Sequence, residues 1–132
     1  MPELTDAQRR FLEQPFHGIV TTLRRDGSPH STVVWVDVDD DGASFNTQEG
    51  RTKADNLDAD ARVGLLVIDP DDPYRWLAID GPVEVTAEGA NEQIDRLAKK
   101  YTGNDRFGGY VPGKARLTVR IRPVHVHAVG ID

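Results

Sequence analysis

Apolar and polar positions change rhythm several times along this chain, and each change marks an element. Thr5-Asp6-Ala7-Gln8 places a helix cap with a glutamine three residues on, a capping-box start. Leu4, Phe11 and Leu12 give the short helix that follows one apolar stripe, and Pro15 stops it. From His17 to Leu23 the run is β-branched and predicts a strand, with Asp26-Gly27-Ser28-Pro29 as the turn after it. Ser31 to Val38 alternates and predicts a single second strand. It ends at Asp39-Asp40-Asp41-Gly42, whose Asp-Gly step is a hairpin signal. Ala43 to Thr47 predicts a third strand, so the region reads as an antiparallel meander.

From Glu49 to Asp60 the pattern is helix-compatible, with Ala54, Leu57 and Ala61 spaced for one buried stripe. Arg62 to Ile68 is almost continuously apolar and predicts a strand buried on both faces. Asp69 to Pro73 predicts a loop, because two prolines keep it out of a sheet interior. Tyr74 to Val85 predicts a long strand with a bulge or bend at Gly81-Pro82. Ala90 to Tyr101 predicts an amphipathic helix with Ile94, Leu97, Ala98 and Tyr101 on one face, and the glycine-rich Thr102 to Gly113 a loop. Leu117, Val119 and Ile121 then alternate against Arg116, Thr118, Arg120 and Arg122, before a final run from Val124 to Val129. The pattern predicts one mostly β domain over residues 1–132, with six or seven strands and two or three short helices. A barrel closed by the last strand is the expected architecture, since an open sheet would leave long apolar edges.

Composition narrows the function. The chain has 132 residues and no cysteine, which excludes disulfides, thiolate metal sites and a cysteine nucleophile. No apolar run reaches the roughly 20 residues of a membrane helix, and the first six residues lack a signal-peptide pattern. A cytoplasmic protein without membrane attachment is expected. The formal charge of −6 argues against nucleic-acid binding, which draws on lysines and arginines neutralising phosphates. Any bound phosphate needs a local basic pocket within an acidic surface.

Such a pocket has a candidate in Asn46-Thr47-Gln48-Glu49-Gly50-Arg51-Thr52-Lys53-Ala54-Asp55-Asn56-Leu57. A strand ends, a glycine permits a tight turn, and a helix starts with Arg51, Thr52 and Lys53. Helix starts favour acidic residues, so two cations there are unfavourable unless an anion joins them. Two readings fit these residues: a phosphate cradle, or side chains that extend into solvent. Alternation places Ser31, Val33 and Trp35 on one side of their strand and Thr32, Val34 and Val36 on the other, which by itself describes a barrel wall. Trp76 reads as core or interface. His125 and His127 share a strand face, but a metal site would need His17 or His30 to converge with them, and an end-of-sheet pair is the simpler reading.

The ordered set Asp26-Gly27-Ser28-Pro29 with Val34-Trp35, Gly50-Arg51-Thr52-Lys53 with Asn56-Leu57, and Asp60-Ala61-Arg62-Val63 with Asp72-Pro73-Tyr74-Arg75 resembles the pyridoxamine-phosphate-oxidase-like split β-barrel family. It is most similar to the branch that uses the deazaflavin coenzyme F-420, and the resemblance runs from about Phe11 to Ile131. It implies an FMN-binding-like split barrel, a homodimer with cofactor sites at the subunit interface, and an F-420-dependent oxidoreductase that passes a hydride to a conjugated organic acceptor. Arg51, Thr52 and Lys53 would hold the cofactor phosphate, with Asn56 supporting the helix start. Backbone along Ser31, Thr32, Val33, Val34 and Trp35, and along Asn46, Thr47 and Gln48, would meet the ring. Tyr74, Arg75 and Trp76 would close the site, from either subunit. Such a cofactor brings its own redox chemistry, so no catalytic dyad is required. The alternatives are FMN in the same fold, or a non-catalytic cofactor carrier. Vitamin B6 oxidation is not expected, because no convincing match to the basic C-terminal segment of those family members precedes Asp132.

Overall fold

The computed structural model describes residues 3–132; the first two residues of the sequence reading lie outside them. In chain order the elements are α1 (Asp6–Glu13), β1 (Gly18–Leu23), β2 (Pro29–Val34), β3 (Val36–Asp39), β4 (Gly42–Gln48), α2 (Thr52–Ala59), β5 (Arg62–Asp69), β6 (Asp72–Thr86), α3 (Ala90–Thr102), β7 (Arg116–Ile121) and β8 (His125–Val129). The predicted capping box is present: Gln8 N–H donates to Thr5 Oγ1 at 3.1 Å, and Thr5 N–H to Gln8 Oε1 at 2.9 Å.

The sheet runs β2-β1-β5-β6-β7-β4-β3, every pairing antiparallel, and β8 adds to β6. This is the expected split β-barrel, with two corrections. The segment Ser31–Val38 is broken at Trp35 into β2, which pairs with β1, and β3, which pairs with β4. That kinked segment, and not the last strand, joins the two ends of the sheet. β8 instead lies beside β6 over Trp76–Asp80, next to the stretch Val83–Thr86 that pairs with β7.

β6 therefore changes neighbours at Gly81-Pro82, where the bend was expected. A Cβ on Gly81 would fall on the carbonyl oxygen of Arg122, in the chain that crosses from β7 to β8. Gly18 has the same meaning at the barrel floor: an added Cβ would stand 2.7 Å from Val36 and 2.9 Å from Leu65 side-chain carbons.

Four further expectations are corrected. β5 is not buried on both faces: Val63, Leu65 and Val67 point inward, while Leu66 and Ile68 face outward. Asp69 to Pro73 is no loop but a tight hairpin over Pro70 and Asp71, with Pro73 already in β6. Ala61 is exposed, so the inward stripe of α2 is Ala54, Asn56 and Leu57. In β7 the buried set includes Arg116 and Thr118, with Leu117 only half-buried.

The core gathers Val20, Phe45, Leu65, Val67, Leu77, Val119 and Ile121, closed by Phe11 and Leu12 of α1. The kink at Trp35 leaves Val36 backbone groups that α3 satisfies. Val36 N–H donates to the Tyr101 hydroxyl at 2.9 Å, which itself donates to the Phe16 carbonyl at 2.6 Å. Lys100 Nζ donates to the carbonyls of Leu12 and Val36, both at 2.6 Å, locking α3 onto α1 and β3.

Burial lowers the Lys100 ammonium from 10.5 to about 8, against the opposing pull of Asp37 and Glu13. Between those values the unfolded chain binds more protons than the folded one, so this group makes stability rise with pH across the window. Urea midpoints measured from pH 7.5 to 10 should rise for the wild type, and the slope should be shallower in Lys100→Met.

Candidate functional site

Three cations stand together where β4, α2 and β7 meet. Arg51 is the N-cap of α2 in extended conformation, and no side chain caps this helix. Lys53 lies in its first turn, and Arg116 opens β7, which pairs with β4 through Gln48↔Arg116 and Asn46↔Thr118. Gly50, at φ 81, makes the turn; a side chain there would point at Lys114 Nζ, 3.7 Å away. Among the described residues, neither Arg51, Lys53 nor Arg116 forms an ion pair. Their mutual repulsion is visible in their acidities. Burial first, then Arg51 and Arg116, lower the Lys53 pKa; burial and then Arg51 lower that of Arg116.

Beside them is a pocket of 190 Å³ lined by His17, Val33, Val34, Trp35, Asn46, Lys53, Ile94, Leu97, Phe107 and Arg116. One wall is aromatic. Trp35 stacks on Tyr101, with rings 5.5 Å apart and 7° from parallel, and meets the edge of Phe107 at 6.1 Å. Phe107 covers the Arg116 guanidinium at 4.9 Å. The Gly103–Gly113 segment is pinned to α3 by Asp95, which accepts from Phe107 N–H at 2.8 Å and from the Tyr110 hydroxyl at 2.9 Å. Those bonds hold the Asp95 carboxyl below the usual carboxylate range.

Of the residues singled out from sequence, Val33, Val34, Trp35, Asn46 and Lys53 line this pocket, and Arg51 and Thr52 stand at the adjoining helix start. Thr32 Oγ1, Thr47 Oγ1 and Gln48 Oε1 are buried and lack hydrogen-bond partners. Ser31 Oγ pairs instead with Thr21 Oγ1 at 2.9 Å. Asn56 does not face the pocket: its Nδ2 donates to the buried Thr22 hydroxyl at 3.0 Å and ties α2 to β1. Tyr74, Arg75 and Trp76 lie apart from the pocket of this chain. Tyr74 is 80% exposed, Arg75 bonds Asp69 at 3.1 Å and sits over Phe11, and Trp76 meets the edge of His127. The pocket residues absent from the expected cofactor site are Ile94, Leu97, Phe107, Arg116 and His17, the last named only as a possible metal ligand. Only Arg116 carried a signal, as an arginine within an apolar alternation.

Lys53 is half-buried, Arg116 buried and Arg51 exposed, and among the described residues no carboxylate pairs with any of them, although Asp55 lies in the first turn of the helix. The helix start adds free N–H groups and Thr52 a hydroxyl. Ligand-free Lys53→Met should be more stable than the wild type by about 0.5–1 kcal/mol at pH 7, because it removes repulsion and a desolvation cost. Pyrophosphate should raise the melting temperature of the wild type more than that of the variant, a comparison that thermal unfolding reads directly.

Comparisons with known proteins place this geometry. The family described as "Pyridoxamine 5'-phosphate oxidase" matches residues 4–130. An F-420H(2)-dependent biliverdin reductase of Mycobacterium tuberculosis is 36% identical over 102 residues, covering 74% of this chain and 72% of that protein. The solved structure of an F-420 reductase superposes with a TM-score of 0.80 at 28% identity, covering 96% of this chain and 98% of the other. A putative pyridoxamine 5'-phosphate oxidase from Listeria innocua, 20% identical over 90% of this chain and 92% of its own, shares the fold with a TM-score of 0.65. The matched length includes the whole barrel, α2 and its cationic start, and this chain belongs to the pyridoxamine 5'-phosphate oxidase family.

Proposed function

We propose that this protein is an F-420-dependent reductase whose cofactor phosphate docks on Arg51, Thr52, Lys53 and Arg116, with the ring held against β2 near Trp35. The observation that carries the proposal is the group of cations that no carboxylate pairs with among the described residues, at a start of α2 that no side chain caps, next to an aromatic-walled pocket. The similarity to two F-420 reductases supports the deazaflavin over FMN. When bound, such a cofactor supplies hydride transfer to a conjugated acceptor. The chain's own residues orient and shield. Val33 and Val34 offer an apolar wall, Phe107 and Trp35 keep water from Arg116, and the buried free oxygens of Thr47 and Gln48 wait beside the site for a donor or acceptor. The family description favours FMN as the second reading, which uses the same phosphate site.

The pocket of 190 Å³ is smaller than the roughly 300–1,000 Å³ of most small-molecule sites, which supports a site completed by a second copy. The strand register supplies the surface for it. Val33, Ile19, Leu66, Ala78 and His127 stand in one row across β2, β1, β5, β6 and β8, with Ile68, Trp76 and Val129 in a row beside it. Ile19, Val33, Leu66 and Ile68 are exposed apolar side chains, and Val33 belongs to both the row and the pocket wall. A homodimer packed on this face would bring Tyr74, Arg75 and Trp76 of the partner copy toward the cofactor edge.

Fluorescence titration with F-420 and, in parallel, FMN tests the proposal. F-420 should bind more tightly, and a clear preference for FMN overturns the ranking. Replacing both Arg51 and Lys53 by Ala should weaken either cofactor by about 2–4 kcal/mol, as expected for losing charge-assisted bonds. Turnover of reduced F-420 with quinones, nitro compounds and tetrapyrroles separates a reductase from a carrier. Leu66→Asp should convert the dimer to a monomer in analytical ultracentrifugation and weaken cofactor binding with it. A Leu66→Asp protein that stays dimeric rules out this face.

A further inference from the structure

Arg116 is held by a chain of buried polar groups that has a direction. Its Nε donates to Asn46 Oδ1 at 2.9 Å. Asn46 Nδ2 donates to Gln93 Oε1 at 3.0 Å and to the Ala90 carbonyl at 2.8 Å. Gln93 Oε1 also accepts from the Thr118 hydroxyl at 2.9 Å, while Nε2 donates to Ser44 Oγ at 2.9 Å and to Asp37 Oδ2 at 3.3 Å. Arg96 from α3 pairs with the same Asp37 oxygen at 2.7 Å. Asp37, Ser44, Asn46, Gln93, Arg116 and Thr118 are all buried.

The two ends of this chain fix the orientation of the amides between them. An ionised carboxylate only accepts, so Gln93 turns its NH2 to Asp37 and its oxygen to Asn46. Asn46 must then give its NH2 to Gln93, which leaves its oxygen for Arg116. Arg116 only donates, so the far end agrees. If any link inverted, an NH2 group would face the guanidinium, two donors in a buried site. We infer that Asp37, Gln93 and Asn46 form a directed hydrogen-bond relay that sets the guanidinium of Arg116 in the pocket, with Gln93 as its central positioning residue.

The inference rests on the anion site proposed above and adds residues that touch no ligand. Only Nε of Arg116 is used by the relay; among the described residues no side chain or backbone group accepts from its two terminal nitrogens. Phe107 covers the group, and Arg116 lines the pocket. The relay thus holds the guanidinium by one edge and leaves the fork free for a bidentate partner such as a phosphate. It also ties α3, β3, β4 and β7 into one support, so Arg116 is oriented before a ligand arrives.

A double-mutant cycle tests this, with F-420 and FMN as probes and Arg116→Ala as the second change. Asp37→Asn keeps the shape but removes the acceptor-only end that orients Gln93, while the Ala90 carbonyl still orients Asn46, and Gln93→Leu removes the central link; where Gln93→Leu does not fold, Asp37→Asn decides alone. Each should weaken cofactor binding about tenfold with Arg116 present and have no further effect in the Arg116→Ala background. In arginine-labelled protein without cofactor, the Arg116 Nε–H proton should exchange with water faster in both variants, a signal that loss of packing elsewhere leaves unmoved. Unchanged affinity in the single variants, or an equal loss in both backgrounds, overturns the relay while leaving the anion site standing. If Arg116→Ala and the Arg51/Lys53 double variant both bind cofactor normally, the site reading falls, and the relay's purpose falls with it.

Discussion

Gathering Arg51, Lys53 and Arg116 without an ion-paired carboxylate costs free energy, and the barrel holds the backbone that carries them there regardless. Burial and mutual repulsion lower the pKa of both Lys53 and Arg116. Arg51 is exposed and reaches water, whereas Lys53 and Arg116 are held within the fold. Here the start of α2 is fixed because Asn56 bonds Thr22 beneath it and Leu57 packs in the core. The start of β7 is fixed by its register with β4. For the anion proposed to dock there, this arrangement offers charges that need little rearrangement.

The kink at Trp35 connects closure of the fold to formation of the pocket. A straight strand from Ser31 to Val38 would have run past the end of β1 at Gly18, which pairs with Val34, and left β4 with a bare edge. Breaking at Trp35 lets the same segment pair first with β1 and then with β4, and turns the indole to stack on Tyr101. The backbone groups beside the break are met by the last turn of α3, through Tyr101 and Lys100. One helix therefore closes the barrel seam at its C-terminal end and supports Arg116 through Gln93 at its N-terminal end.

Local signals in the chain were dependable where a short-range rule decides the structure. Thr5 and Gln8 cap α1, the hairpin falls at the acidic run as expected although its turn is Asp40-Asp41 and Gly42 opens β4, and the Ile94, Leu97 and Ala98 stripe of α3 is buried. Errors arose where long-range pairing decides. The apolar run of β5 reads as doubly buried, yet one of its faces is the outer face of the sheet, where apolar residues pack on nothing within this chain. Two prolines read as a loop, because an N–H is needed only on the paired side of a strand, and which side is paired is a property of the sheet.

The order of residues by itself determined a mostly β single domain, its family, and the cationic helix start with Arg51, Thr52 and Lys53. These follow from side-chain periodicity and from charge placed next to a helix terminus, both local in the chain. Only the tertiary structure decided that Arg116, 65 positions after Arg51, joins them, that Phe107 covers it, and that Gln93 and Asp37 orient it. Strand register places those groups, and register is set by the pairing of β4 with β7 and by the packing of α3 across both. No spacing along the chain encodes that distance.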